Sequence, residues 1–262
     1  MSSATSARTG DGRHAYDLVV HLVSREFQLR YRRAVFGWLW AIAQPLLRFA
    51  VFAYVFTEII PVGNIPDYPA FLFIGIVVWT WFASGVLSAT NSVVVRPDLL
   101  LRPRVPRVVA PLVAVLTDML DFLAALPIIA VFLLFSDGIS IYAIGLPVLM
   151  ALQLVLILGI GLALCSANVY FRDVRLFTEV ALMLGFYLTP VFYPRTALPD
   201  SVAFFYDWNP VARLLSAYRA ILIYHRMPDN GTVAFVAVVS AVALASGLLI
   251  YRRACKNFVD EL

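Results

Sequence analysis

Six apolar stretches dominate the chain, each near the ~20 residues that carry a helix across ~30 Å of hydrocarbon. They run over about 36–60, 69–93, 108–135, 141–167, 176–192 and 232–251. Inside lipid, backbone N–H and C=O groups must find partners within their own segment, so stretches of this kind fold as helices. Composition agrees: 62% of the 262 residues are hydrophobic and 14% are charged. Ordinary soluble domains are about half apolar and about a quarter charged. A soluble globule of this size could not bury so much apolar surface, so lipid must cover part of it. The expected fold class is an all-α integral membrane protein, with one transmembrane domain of six spanning helices over 14–262. Residues 1–13 lack the apolar core of a cleavable signal and read as a disordered cytosolic tail.

An amphipathic helix is expected over 14–33. Tyr16, Val19, Val23, Phe27 and Tyr31 recur at helical spacing, with polar residues between them. Arg25, Arg30, Arg32 and Arg33 make this helix basic, which suits the inner membrane surface. Further basic residues cluster at Arg96–Arg107, at Arg172 and Arg175, and at Arg252–Lys256, whereas the connections at 61–68 and 136–140 have no Lys or Arg. Basic loops stay inside, so both termini are expected to be cytosolic in a multi-pass protein of the cytoplasmic membrane. The net charge of +4 is then explained by arginines facing anionic headgroups rather than by nucleic acid. One outer connection departs from the pattern. The segment at about 196–226 is semi-apolar but too short to span, and reads as two short helices that dip into the outer leaflet and return, with Pro210 opening the second.

Charges inside spans are costly and are usually paired or functional. Arg48, Asp118 and Asp121 are expected at similar depth, and Asp118 and Asp121 lie on one helix face. Two readings stay open: an Arg48–Asp118 or Arg48–Asp121 ion pair joining the first and third spans, or an Arg48 that lines a polar path and meets anionic substrate. The first and fifth spans are dense in aromatic residues, which stack on sugars but also pack in cores and at interfaces. His14, His21, His225, Cys165 and Cys255 are scattered, so no metal centre is expected. No nucleophile–base constellation supports an enzyme. A phosphate-cradling loop needs Gly-Lys-Ser/Thr; Lys256, the sole lysine, follows Cys255, so any ATPase must be a separate chain.

At Tyr31-Arg32-Arg33-Ala34-Val35-Phe36-Gly37-Trp38-Leu39-Trp40, followed by Gln44-Pro45-Leu46-Leu47, the chain resembles the ABC-2 permeases of polysaccharide exporters, the membrane subunits for O-antigen, teichoic acid and related lipid-linked glycans. The resemblance continues at Asn168–Val174, Thr189–Pro194, Asn209-Pro210 and Tyr218-Arg219. It implies a homodimer that binds two copies of a cytosolic ABC ATPase, with ATP and Mg held by that partner and no cofactor in this chain. It implies a substrate on undecaprenyl diphosphate, with Arg30, Arg32 and Arg33 near the headgroup entrance. Trp40, Arg48, Phe52, Phe56, Phe186 and Tyr187 become candidate channel residues. Arg102, Arg104, Arg107, Tyr170, Arg172 and Asp173 become candidates for coupling to the ATPase. Tyr193, Trp208, Pro210, Tyr218 and Arg219 become candidates for an outer gate. Arg48 falls where the family pattern suggests an apolar residue, and Ala34 replaces the Ser common after Tyr-Arg-Arg. The competing readings are an ABC-2 permease for a drug or small lipid, a membrane-bound transferase, and a structural membrane scaffold.

Overall fold

The computed structural model describes residues 4–32, 35–59, 65–97, 106–136, 138–195, 204, 206–256 and 258, with side chains from residue 17 onward. Every regular element among them is helical. Helix α1 (Ala4–Tyr31) precedes α2 (Leu39–Tyr54), which continues through a π turn at Val55–Ile59. Helices α3 (Tyr68–Val95) and α4 (Val109–Leu134) follow. A 3-10 turn at Ile141–Gly145 leads into α5 (Leu146–Tyr170). Helices α6 (Asp173–Leu188), α7 (Pro210–Leu222) and α8 (Asn230–Ala254) complete the chain. The first helix begins at Ala4 rather than at residue 14, so most of the expected disordered tail carries helical backbone; no proline lies in 1–13 to stop it.

Among the described residues, five segments are long and apolar enough to cross a bilayer: Leu39–Ile59, Tyr68–Val95, Val109–Leu134, Ile141–Tyr170 and Asn230–Ala254. The fifth apolar stretch forms only the 16 residues of α6, about 24 Å at 1.5 Å per residue. Its stop is local. Thr189 precedes Pro190, and the residue before a proline is pushed out of the helical region; Thr189 is extended, at φ −88° and ψ 137°.

Helix α3 is the centre of the bundle. It is apolar all round, as a surrounded helix must be, and Leu72, Phe73 and Ile74 are fully buried. By contrast, few residues of α2 and α8 are fully buried. Helices α5 and α8 cross at two glycines. A Cβ on Gly247 would lie 2.1 Å from the Gly159 carbonyl oxygen, and one on Gly159 would lie 2.4 Å from the Ala243 carbonyl carbon. Small residues of this kind let helix backbones approach inside a membrane.

Candidate functional site

Helices α1, α2, α3, α4 and α6 surround a cleft of about 920 Å³. At one end, the last turn of α1 meets α4. Arg30 donates to Asp118 at 2.8 Å and to Asp121 at 2.6 Å, and the Tyr31 hydroxyl donates to the other oxygen of Asp121 at 2.9 Å. Burial works against the Arg30 charge, yet the two carboxylates outweigh it and hold its pKa above the ordinary value. Burial, helped by the adjacent Asp121 carboxylate, pushes the Tyr31 phenol up to about 12, so it remains a donor at physiological pH. The ion pair expected between Arg48 and these aspartates is therefore corrected: their cation is Arg30. Arg48 lines the same cleft as the two aspartates but pairs with neither. Successive helical residues turn by about 100°; Phe49 packs on Phe73 and Phe132, and its neighbour Arg48 turns instead toward the cleft and Thr80.

Arg48 lines the cleft, is exposed, and donates to Thr80 Oγ1 at 3.2 Å. One turn further along α2 an aromatic wall begins. The Phe52 ring lies 5.4 Å from Phe186 and 6.1 Å from Phe192, Phe56 stacks on Phe192 at 4.9 Å, and Phe186 meets Tyr187 at 5.4 Å. Trp40, Phe52, Phe186 and Tyr187 line the same cleft as Arg48, whereas Phe56 joins it through its rings alone. The structure thus brings together α2 and α6 aromatics that the sequence places 130 residues or more apart. Phe192, which closes this cluster, and Thr80 were missed as site residues; the aromatic run at 186–193 was the available signal for the first, and nothing local marks the second.

The outer-gate candidates divide into two groups. Pro210 opens α7 at its first turn, after Asn209 whose side-chain oxygen accepts from the Val211 and Ala212 amides at 2.9 and 3.3 Å. That is an N-cap followed by a proline whose missing N–H costs the helix nothing. Trp208 is 65% exposed beside Phe204, and the Tyr193 hydroxyl donates back to the carbonyls of Tyr187 and Leu188. Tyr218 and Arg219 are buried instead. Arg219 donates to the carbonyls of Pro190, Phe71 and Val191 at 2.8, 3.1 and 2.5 Å and lies over the Phe71 ring. It grips the turn that carries Phe192. Gly75 makes room for it: a Cβ there would sit 2.7 Å from the guanidinium.

At the arginine-rich end, Arg107 bonds the Cys255 carbonyl, and its own carbonyl accepts from the Tyr251 hydroxyl at 2.7 Å. The Tyr170 hydroxyl donates to the Ala254 carbonyl at 3.2 Å. Asn168 is buried and ties three helices, donating to the Thr90 carbonyl and accepting from the Arg175 amide. Arg172 and Asp173 are exposed at the start of α6, as is Arg32 after α1. Arg33, Arg102 and Arg104 lie outside the described residues, as does 196–203 of the expected re-entrant segment.

Apolar helices around a charged and aromatic cleft define a multi-pass membrane transport protein. The chain belongs to the ABC-2 type transporter family, whose profile matches residues 17–223. It is 32% identical over 248 residues to an O-antigen export system permease protein, RfbA, of Myxococcus xanthus, covering 94% of this chain and 95% of that one. It is 28% identical to RfbA of Klebsiella pneumoniae over 95% and 96% of the two chains. The polysialic acid transport protein KpsM of Escherichia coli is 20% identical over 88% of this chain and 91% of its own length.

Proposed function

We propose that this chain is the permease subunit of an exporter that moves a polyprenyl-diphosphate-linked polysaccharide across the cytoplasmic membrane. The observation that carries this reading is the aromatic wall of Phe52, Phe186 and Tyr187 in a cleft of about 920 Å³, in a chain similar along most of its length to O-antigen export permeases. Aromatic faces give a sliding sugar many equivalent, weak stacking positions, so a polymer is guided without being held.

In this reading two copies pair along the open faces of α2 and α6, and each binds one copy of a cytosolic ATPase that supplies ATP and Mg. Both termini are cytosolic, because the arginine-rich end faces the anionic inner leaflet. Helix α6, extended by the turn at 189–193, makes the sixth crossing in a locally thinned bilayer. Helix α7 dips into the outer leaflet, and Tyr193 and Trp208 belong to the outer gate. Arg107, Tyr170, Arg172 and Asp173 lie where ATPase motion enters, and Tyr170 and Arg107 pass it to the end of α8 through their carbonyl contacts. Arg32 meets the lipid headgroup at the inner surface, whereas Arg30 holds α1 on α4.

Deleting the gene tests this. A full-length polyprenyl-linked polymer accumulating on the cytosolic leaflet is the expected result and would identify the glycan. Normal delivery of every surface glycan, with no trapped intermediate and no redundant exporter, would overturn the reading.

A further inference from the structure

We propose that Arg48 is an oxyanion-binding station inside the cleft, where a phosphate or carboxylate of the cargo docks against α2 and α3. The proposal rests on the export reading and deepens it by naming the chemistry that the cleft grips.

Among the described residues, five charged ones line the cleft: Arg30, Arg48, Asp118, Asp121 and Glu179. Arg30, Asp118 and Asp121 are ion-paired with one another. Among the described residues Arg48 makes a single hydrogen bond, to Thr80, although a guanidinium carries five donors in a planar fork. Among the described residues no carboxylate lies within ion-pair distance of it, Glu179 included. Its position makes this costly. Arg48 lies nine residues into α2, about 13 Å along the helix, and a cation at such depth is normally paired or faces a water-filled path. The Thr80 bond fixes one edge of the fork and leaves the rest toward the cleft. A fork held this way matches two oxygens of a phosphate or carboxylate, and such charge-assisted pairs are roughly twice as strong as neutral hydrogen bonds. The aromatic wall starts one turn beyond, so an oxyanion at Arg48 sets the attached sugars against Phe52 and Phe186.

Two sources could supply the oxyanion: the lipid diphosphate or an acidic sugar. Native mass spectrometry of the purified full-length chain separates them, with sugar-free undecaprenyl diphosphate, undecaprenol and a glucuronate oligosaccharide as probes. The wild type is expected to bind at least one of the two charged probes better than undecaprenol. Arg48→Gln should weaken that binding about tenfold or more, and Arg48→Lys should retain part of it, since the charge stays and the fork is lost. A loss confined to undecaprenyl diphosphate assigns the headgroup, and a loss confined to the glucuronate probe assigns the glycan; either supports the station. Unchanged affinities in Arg48→Gln overturn it. So does an equal loss in Glu179→Gln, which would show that Arg48 serves a transient pair with Glu179. If the deletion strain traps glycan while Arg48→Gln binds like the wild type, the station falls and the export reading stands. If the deletion strain delivers its glycan normally, the export reading itself falls.

Discussion

Asp118 and Asp121 share one guanidinium, and this economy governs how α1 is held. Asp118 keeps only 2% of its side chain exposed while Arg30 keeps 31%. Arg30→Ala therefore strands a buried carboxylate. The cost should fall at the lower end of the ~3–5 kcal/mol seen when one partner of a buried pair is removed, because water reaches the arginine. A lowered melting temperature of the purified chain is expected, with most of the loss recovered in the triple variant Arg30→Ala, Asp118→Asn, Asp121→Asn. Equal melting of Arg30→Ala and wild type would contradict the pairing. The sequence made the need for a cation legible, because two carboxylates at one depth on one helix face demand a partner. It did not make the partner legible. Counting residues gives depth along a helix; which neighbour a side chain meets depends on rotation and on lateral packing, and α1 rather than α2 brings its arginine to α4. Arg219 shows the same limit. The resemblance made Tyr218 and Arg219 gate candidates; the Arg219 side chain is buried among three carbonyls, an arrangement with no local signature.

Helix ends were more readable than helix contacts. Asn209-Pro210 announces the start of α7, whereas the stop that Thr189-Pro190 imposes on α6 was overlooked in the expected span to 192, although both signals act through the backbone of adjacent residues. The second signal also explains why six apolar stretches gave five segments of spanning length: the apolar run continues past Leu188, but the helix does not. The crossing of α5 and α8 had no such signal, since Gly159 and Gly247 lie 88 positions apart and each looks like an ordinary glycine within its own helix. Gly247→Leu should force these helices apart, because even a Cβ at that position would lie 2.1 Å from the Gly159 carbonyl oxygen. Overpacking costs of about 1–3 kcal/mol or more are expected, read as reduced yield of folded protein and a lower melting temperature. Gly145→Leu, at a site with nothing within 4 Å, is the matched control and should behave like the wild type.

At the scale of the whole molecule, two elements with open apolar faces, α2 and α6, flank the cleft whose wall they build. Leu47 and Val51 on α2, and Met183 and Leu184 on α6, are more than half exposed. In the export reading a second copy covers these faces and the two clefts meet in one path. Few residues of helix α8 are fully buried either, and none of them lines the cleft; in the export reading this helix faces lipid. This contrast allows the most direct test of the central claim, that a glycan passes along the aromatic wall. A photoreactive residue placed at Phe186 in the intact transporter, illuminated in cells making the glycan, should yield covalent adducts that carry sugar. The same residue placed at Val242, on the open face of α8, should yield lipid adducts without sugar. Sugar-bearing adducts at Phe186 alone are the predicted result; equal labelling at both positions, or no sugar at Phe186 while export proceeds, would contradict the account.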